Sequence, residues 1–89
     1  MFYVYAIQST TRDWIYIGLT NDIIERFRSH NAGKERTTNP YKPFKLLFVQ
    51  EFDSRIRARD LEKYLKIRSN KESLLLLVAG VAKLVDAHA

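Results

Sequence analysis

The sequence predicts a mixed α/β fold of the α+β kind, a small sheet with helices packed on it in the order β-β-α-β-α-α. Three observations predict it. Two short stretches of apolar and aromatic residues, Tyr3-Val4-Tyr5 and Tyr16-Ile17-Gly18, flank a polar segment, Ser9-Thr10-Thr11-Arg12-Asp13, which is the signature of a β-hairpin. Two later segments repeat apolar residues at helical spacing behind a capping residue. Between them lies the run FKLLFVQEF, apolar enough to make a third strand.

In chain order, Phe2 to Ile7 alternates, with Phe2, Val4 and Ala6 on one face and Tyr3, Tyr5 and Ile7 on the other. Trp14 to Leu19 is its partner, with Ile15 and Ile17 opposite Tyr16 and Gly18. A glycine at a strand end leaves room for backbone or ligand to approach. Thr20-Asn21-Asp22 supplies a helix cap, and Asp22 and Glu25 suit the positive end of the helix dipole. Ile23, Ile24 and Phe27 form the apolar stripe of this first helix, and Gly33 suits a left-handed end. Asp22, Arg26 and His30 recur every four residues on a stripe beside the buried one.

Residues 34–43, KERTTNPYKP, read as a loop with two prolines and three cations, Lys34, Arg36 and Lys42, against Glu35. After the strand Phe44 to Phe52, Asp53 or Ser54 caps a second helix from about Arg55 to Arg68, with Ala58, Leu61 and Leu65 facing the core. Arg55, Arg59, Lys63 and Lys66 fall on or near its opposite face, and Glu62 at the margin of the buried stripe. Ser69-Asn70-Lys71-Glu72 has capping-box spacing and opens a third helix through the leucines at 74–77.

Composition narrows the functions. With 89 residues the chain is one small domain, which buries roughly 60–65% of its unfolded surface. The absence of cysteine excludes disulfides, thiolate metal sites and cysteine nucleophiles, and two histidines are too few for a histidine-rich metal cluster. A bound metal would therefore rely on carboxylate, which favours magnesium or manganese. Fifteen basic residues against ten acidic give a net charge of +5, suited to a polyanionic partner such as nucleic acid. No secretory leader is visible and the longest apolar run, Leu74 to Ala82, is far short of a bilayer span, so the expectation is a cytoplasmic protein without a membrane partner.

From about Met1 to Leu77 the chain resembles the GIY-YIG nuclease superfamily, in particular its small stand-alone bacterial members. The resemblance is carried by YVYAI, YIGLTNDIIERFRSHNAGK and FKLLFVQEFDSRIRARDLEKYLK, in that order. It implies a three-stranded antiparallel sheet flanked by helices, with a nuclease-like domain over residues 1–78. It also implies a catalytic set: Tyr5 and Tyr16 as the tyrosines of the two motifs, Arg26 as the helix arginine, His30 one turn beyond it, and Glu62 as the metal-binding glutamate for Mg2+ or Mn2+. Two positions depart from the family pattern. The first motif lacks its initial glycine, and Leu19 stands where repair-type nucleases carry a lysine. Asn70 is the nearest counterpart of an asparagine that some members place after the glutamate helix, at a different spacing.

Each of these residues has a plainer use. Periodicity alone makes Glu62 a helix-surface carboxylate paired with Lys66, and a half-buried strand tyrosine is more commonly packing than chemistry. Arg26 suits either a bidentate grip on phosphate or a pair with Asp22. Within the resemblance, the activity expected is metal-dependent hydrolysis of phosphodiester bonds, in DNA rather than RNA. Tyr16 is then the water-activating residue, Tyr5 its positioning partner, and His30 a proton-transfer or phosphate-contacting residue. Gly18, Arg26, Lys34, Arg36, Lys42, Arg55 and Arg59 are the expected nucleic-acid contacts. The alternatives are a binding module of the same fold and a protein-interaction domain. Specificity would be low, or come from the 34–43 loop, a homodimer or a partner protein. Residues 79–89, AGVAKLVDAHA, look like the translated start of a bacterial leucine tRNA gene, an expectation that the coding DNA would settle.

Overall fold

The computed structural model describes residues 1–67; the third helix and the 79–89 extension expected from sequence lie outside them. Three strands, β1 (Phe2–Ser9), β2 (Ile15–Thr20) and β3 (Phe44–Phe52), form one antiparallel sheet in the order β2-β1-β3. Two helices, α1 (Ile23–Asn31) and α2 (Arg55–Lys66), pack against it. Among the described residues no helix is long and apolar enough to cross a membrane.

The central strand is covered on both sides, and its two faces bury different chemistry. Val4 and Ala6, with Ile17 of β2, meet Ala58 and Leu65 of α2 in an aliphatic core, edged by Phe2, Leu19, Phe48 and Leu61. On the opposite face Tyr5 and Ile7 pack with Phe44, Trp14, Tyr16, Ile23, Phe27 and Tyr41. Strand alternation produces this division, and it follows the two faces read from the sequence.

Caps fall close to their expected places. Asp22 accepts the Glu25 amide at 3.1 Å, while Thr20 Oγ1 accepts the Asp22 amide at 3.0 Å. At the other end of α1, Lys34 N–H donates to Ser29 O at 3.0 Å and Gly33 N–H to His30 O at 3.2 Å. Gly33 has φ of 77°, the left-handed conformation that this closing pair requires. Ser54, not Asp53, caps α2 by accepting the Arg57 amide.

Four points depart from the reading of the sequence. Ile24 is exposed, because the buried stripe of α1 runs through Ile23, Phe27 and His30 at i, i+4 and i+7. His30 therefore lies on the buried stripe, not beside it. β3 is less buried than its apolar composition suggests: it is an edge strand, a bulge shifts its pairing between Ala6 and Ile7, and Leu46 and Val49 face solvent. Finally, the 34–43 segment is tied into the core. It contains a 3-10 turn (Asn39–Tyr41) and a cis Lys42–Pro43 bond, and its Thr38 is fully buried. Thr10 donates its amide and its hydroxyl to Pro43 O, while Asn31 Oδ1 accepts the Phe44 amide.

Candidate active site

The pairing of β1 with β2 sets Tyr5 directly opposite Gly18 and Ile7 opposite Tyr16. Tyr5 and Tyr16 thus share a face as diagonal neighbours, with ring centroids 6.3 Å apart. The phenol of Tyr5 lies across Gly18. A Cβ added at Gly18 would stand 2.8 Å from Tyr5 Cε1 and closer still to Cζ and the hydroxyl, so no larger residue fits while that ring stays. The space where a side chain would stand at this glycine is taken by the Tyr5 ring.

Helix α1 brings His30 to the same place. Its ring stands 5.7 Å from that of Tyr5 and 5.2 Å from that of Tyr16. Tyr5 Oη and His30 Nε2 are 2.8 Å apart, His30 Nδ1 and Thr38 Oγ1 are also 2.8 Å apart, and Thr38 Oγ1 donates to Glu35 O at 3.4 Å. Tyr5, His30 and Thr38 are each at most 1% exposed, which excludes bulk water from these bonds.

Burial fixes the charge state of this chain of groups. Desolvation pushes the Tyr5 phenol well above the ordinary tyrosine range, and the charges of Tyr16, Glu35 and Glu62 act in the same direction while Arg26 opposes them. Desolvation likewise lowers the His30 imidazole, with Glu35 raising and Arg26 lowering it. At neutral pH both rings are uncharged.

Arg26 is half-exposed, and its Nη1 donates to Glu35 Oε1 at 2.9 Å. The partner expected from spacing, Asp22, is used instead as the helix cap. Arg26 also lines a cleft of about 230 Å³ with Phe2, Leu19, Thr20, Asn21 and Arg55. Two of the predicted phosphate-binding cations thus meet at one opening. Arg59 and Lys66 instead flank Glu62, with Arg59 Nε 3.8 Å from Oε1 and Lys66 Nζ 3.2 Å from Oε2. Lys42 donates to Asn39, and Lys34 and Arg36 project from the loop as exposed cations.

Glu62 is buried on the sheet side of α2, four residues after Ala58 and three before Leu65. Among the described residues no three His, Cys, Asp or Glu side chains converge as metal ligands. The donor set is one carboxylate, which fits magnesium or manganese, ions that commonly keep several waters when one or two carboxylates hold them. Sequence reading passed over two residues of this site, Glu35 and Thr38. Each was visible only as a polar member of a loop, and their contacts with Arg26 and His30 depend on the path of that loop.

The family model described as the GIY-YIG catalytic domain matches residues 1–74. The chain is 32% identical over 87 residues to UPF0213 protein SpyM50708 of Streptococcus pyogenes serotype M5, covering 97% of this chain and 94% of the relative. A second relative, UPF0213 protein M5005_Spy1151 of Streptococcus pyogenes serotype M1, matches equally well over the same length. Among solved structures, the solution NMR structure of UPF0213 protein BH0048 from Bacillus halodurans is similar, with a TM-score of 0.55 at 32% identity, covering 86% of this chain and 85% of that one.

Proposed function

Because the chain belongs to the GIY-YIG family, whose fold is of the nuclease type, we propose that it is a metal-dependent endonuclease that hydrolyses phosphodiester bonds in nucleic acid, DNA in preference to RNA. The observation that carries the reading is convergence: Tyr5 from β1, Tyr16 from β2 and His30 from α1 bring their ring centroids within 6.3 Å of one another, and Arg26 of α1 lines a cleft with Arg55 at the start of α2.

In this reading Glu62 holds Mg2+ or Mn2+, which when bound supplies positive charge against the phosphate and its leaving oxygen. Arg26 and Arg55, at the mouth of the cleft, grip the phosphate backbone. Arg26 must first leave Glu35. That pair is about 40% exposed on each side, so the exchange costs only about 0–1 kcal/mol. Tyr16, half-buried, contacts the attacking water. Tyr5 and His30 hold and move a proton behind it, and their hydrogen bond gives this chain a proton-accepting group without the lysine absent at Leu19.

A second reading, a nucleic-acid-binding module with little or no cleavage, is favoured by one observation: Arg26 and Glu62 are both already ion-paired. Incubation with branched, single-stranded and duplex DNA plus magnesium or manganese separates the two. The nuclease reading expects metal-dependent cleavage that Glu62→Ala abolishes while binding survives. Salt-sensitive binding with no cleavage of any substrate would select the module. Failure to bind nucleic acid would leave the protein-interaction alternative.

A further inference from the structure

We propose that Thr38 is a positioning residue for the Tyr5–His30 pair: its hydroxyl holds the Nδ1 proton of His30 and so makes Nε2 an acceptor facing Tyr5. Thr38 lies in the loop between the two later quoted motifs and belongs to neither, yet its hydroxyl decides which imidazole nitrogen can take a proton.

Counting donors and acceptors leads to this assignment. With the proton on Nδ1, three donors meet three acceptors: Tyr5 O–H to Nε2, Nδ1–H to Thr38 Oγ1, and the Thr38 hydroxyl to Glu35 O. With the proton on Nε2, His30 donates to Tyr5. The Tyr5 hydroxyl proton is then left without an acceptor among the described residues, and Thr38 must turn away from Glu35 to serve Nδ1. Tyr5 and Thr38 are at most 1% exposed, so bulk water does not reach the missing partner's place. An orphaned buried donor is costly enough to select the first arrangement.

Local structure explains why Thr38 can do this. Gly33 turns the chain at the end of α1, and Asn39 N–H donates to Glu35 O at 2.9 Å, closing a turn that points Thr38 inward. Glu35 O therefore accepts from both Asn39 N–H and the Thr38 hydroxyl, and this anchors the hydroxyl's own proton away from His30. The groups facing the imidazole from its surroundings are Tyr5 and Tyr16 on the strands, Arg26 on its own helix, Glu35 in the loop and Phe44 on β3. Among the described residues, Tyr5 and the loop's Thr38 hydrogen-bond to the ring.

The catalytic consequence rests on the proposed nuclease reading. When the Tyr5 oxygen takes a proton, it passes its own to Nε2: one O–H bond forms as the other breaks and an N–H bond forms at Nε2, so the phenol stays neutral and the imidazole becomes imidazolium. Nε2 can accept only if it carries a lone pair. An imidazole in the other tautomer presents an N–H to Tyr5 and blocks the transfer.

Nitrogen-15 NMR of the imidazole rings, with His30 assigned through a His30→Gln variant, reads the tautomer directly. The wild type is expected to hold the proton on Nδ1 of His30. Thr38→Val keeps the shape but removes the acceptor. It should shift the ring towards the other tautomer or a mixture, and Thr38→Ser should restore it. In the cleavage assay, kcat should fall roughly tenfold in Thr38→Val, with KM unchanged and recovery in Thr38→Ser. A wild-type ring protonated on Nε2 would overturn the proposal, as would Thr38→Val with an unchanged tautomer. If Thr38→Val does not fold, Thr38→Ala serves the same comparison and the wild-type tautomer still decides. A chain that cleaves nothing would end the nuclease reading, yet the tautomer result would still settle whether Thr38 holds His30.

Discussion

The two faces of the sheet share one central strand and put it to different uses. Against α2, Val4, Ala6 and Ile17 meet Ala58 and Leu65, small and branched side chains that do nothing but exclude water. Against α1 and the loop, the same strand offers Tyr5, and its neighbours are Tyr16, His30 and Thr38, every one with a polar atom. Tyr5, His30 and Thr38 are as buried as the aliphatic set, so the difference between them is one of chemistry and not of exposure. The aliphatic face stabilises without specifying a proton position. The aromatic face is stable only while each of its donors keeps its acceptor, and that requirement holds reactive groups in one geometry. Glu62 stands at the rim of the aliphatic face, buried on the helix and flanked by Arg59 and Lys66.

The comparison breaks most forcefully on the aliphatic side. Ile17→Ala should cost about 2–5 kcal/mol in chemical denaturation, because the covered sheet cannot collapse around the void. Gly18→Val should cost about 1–3 kcal/mol by overpacking, since its side chain and the Tyr5 ring claim the same space. On the aromatic side, Tyr5→Phe removes one hydroxyl and leaves His30 Nε2 unpaired, for about 1–3 kcal/mol. Glu35→Gln should change stability by less than about 1 kcal/mol, yet tighten nucleic-acid binding by freeing Arg26, which a binding isotherm at fixed salt would register.

The pH dependence sharpens the same contrast. His30 titrates lower in the folded chain than its ordinary 6.5, so the unfolded chain binds the extra proton first. Stability from this group is complete above about pH 6.5 and falls as the pH drops towards the lower folded value. Tyr5 titrates above its ordinary 10.0 when folded, so its contribution is complete below that pH and is lost as the pH rises past it. Denaturation midpoints should therefore form a plateau between these limits. Tyr5→Phe should remove the Tyr5 share of the alkaline decline. Ile17→Ala, on the other face, should lower the plateau without moving either edge.

Much of the fold was legible because alternation and capping are local. The hairpin, both described helices and the third strand fall within one or two residues of their expected bounds. The candidate site could be named as a set of residues through the family resemblance, but its hydrogen bonding could not be read from sequence. His30 read as a residue of the polar stripe because histidine is usually polar surface, whereas the i+7 relation to Ile23 places it inside. Glu35 and Thr38 left no periodic trace, since their roles arise from a turn that folds back eight or nine residues onto α1. Gly18 read as an opening, and only the strand register reveals that Tyr5 fills it.

The central claim is that the aromatic face performs proton chemistry on a nucleic-acid substrate. Its most direct test is the single-turnover cleavage rate of Tyr5→Phe, measured beside the wild type with magnesium, with folding checked by denaturation and substrate affinity by binding. The account predicts a rate lower by roughly 10²–10⁴-fold at nearly unchanged affinity. A folded Tyr5→Phe protein that cleaves as fast as the wild type would contradict it.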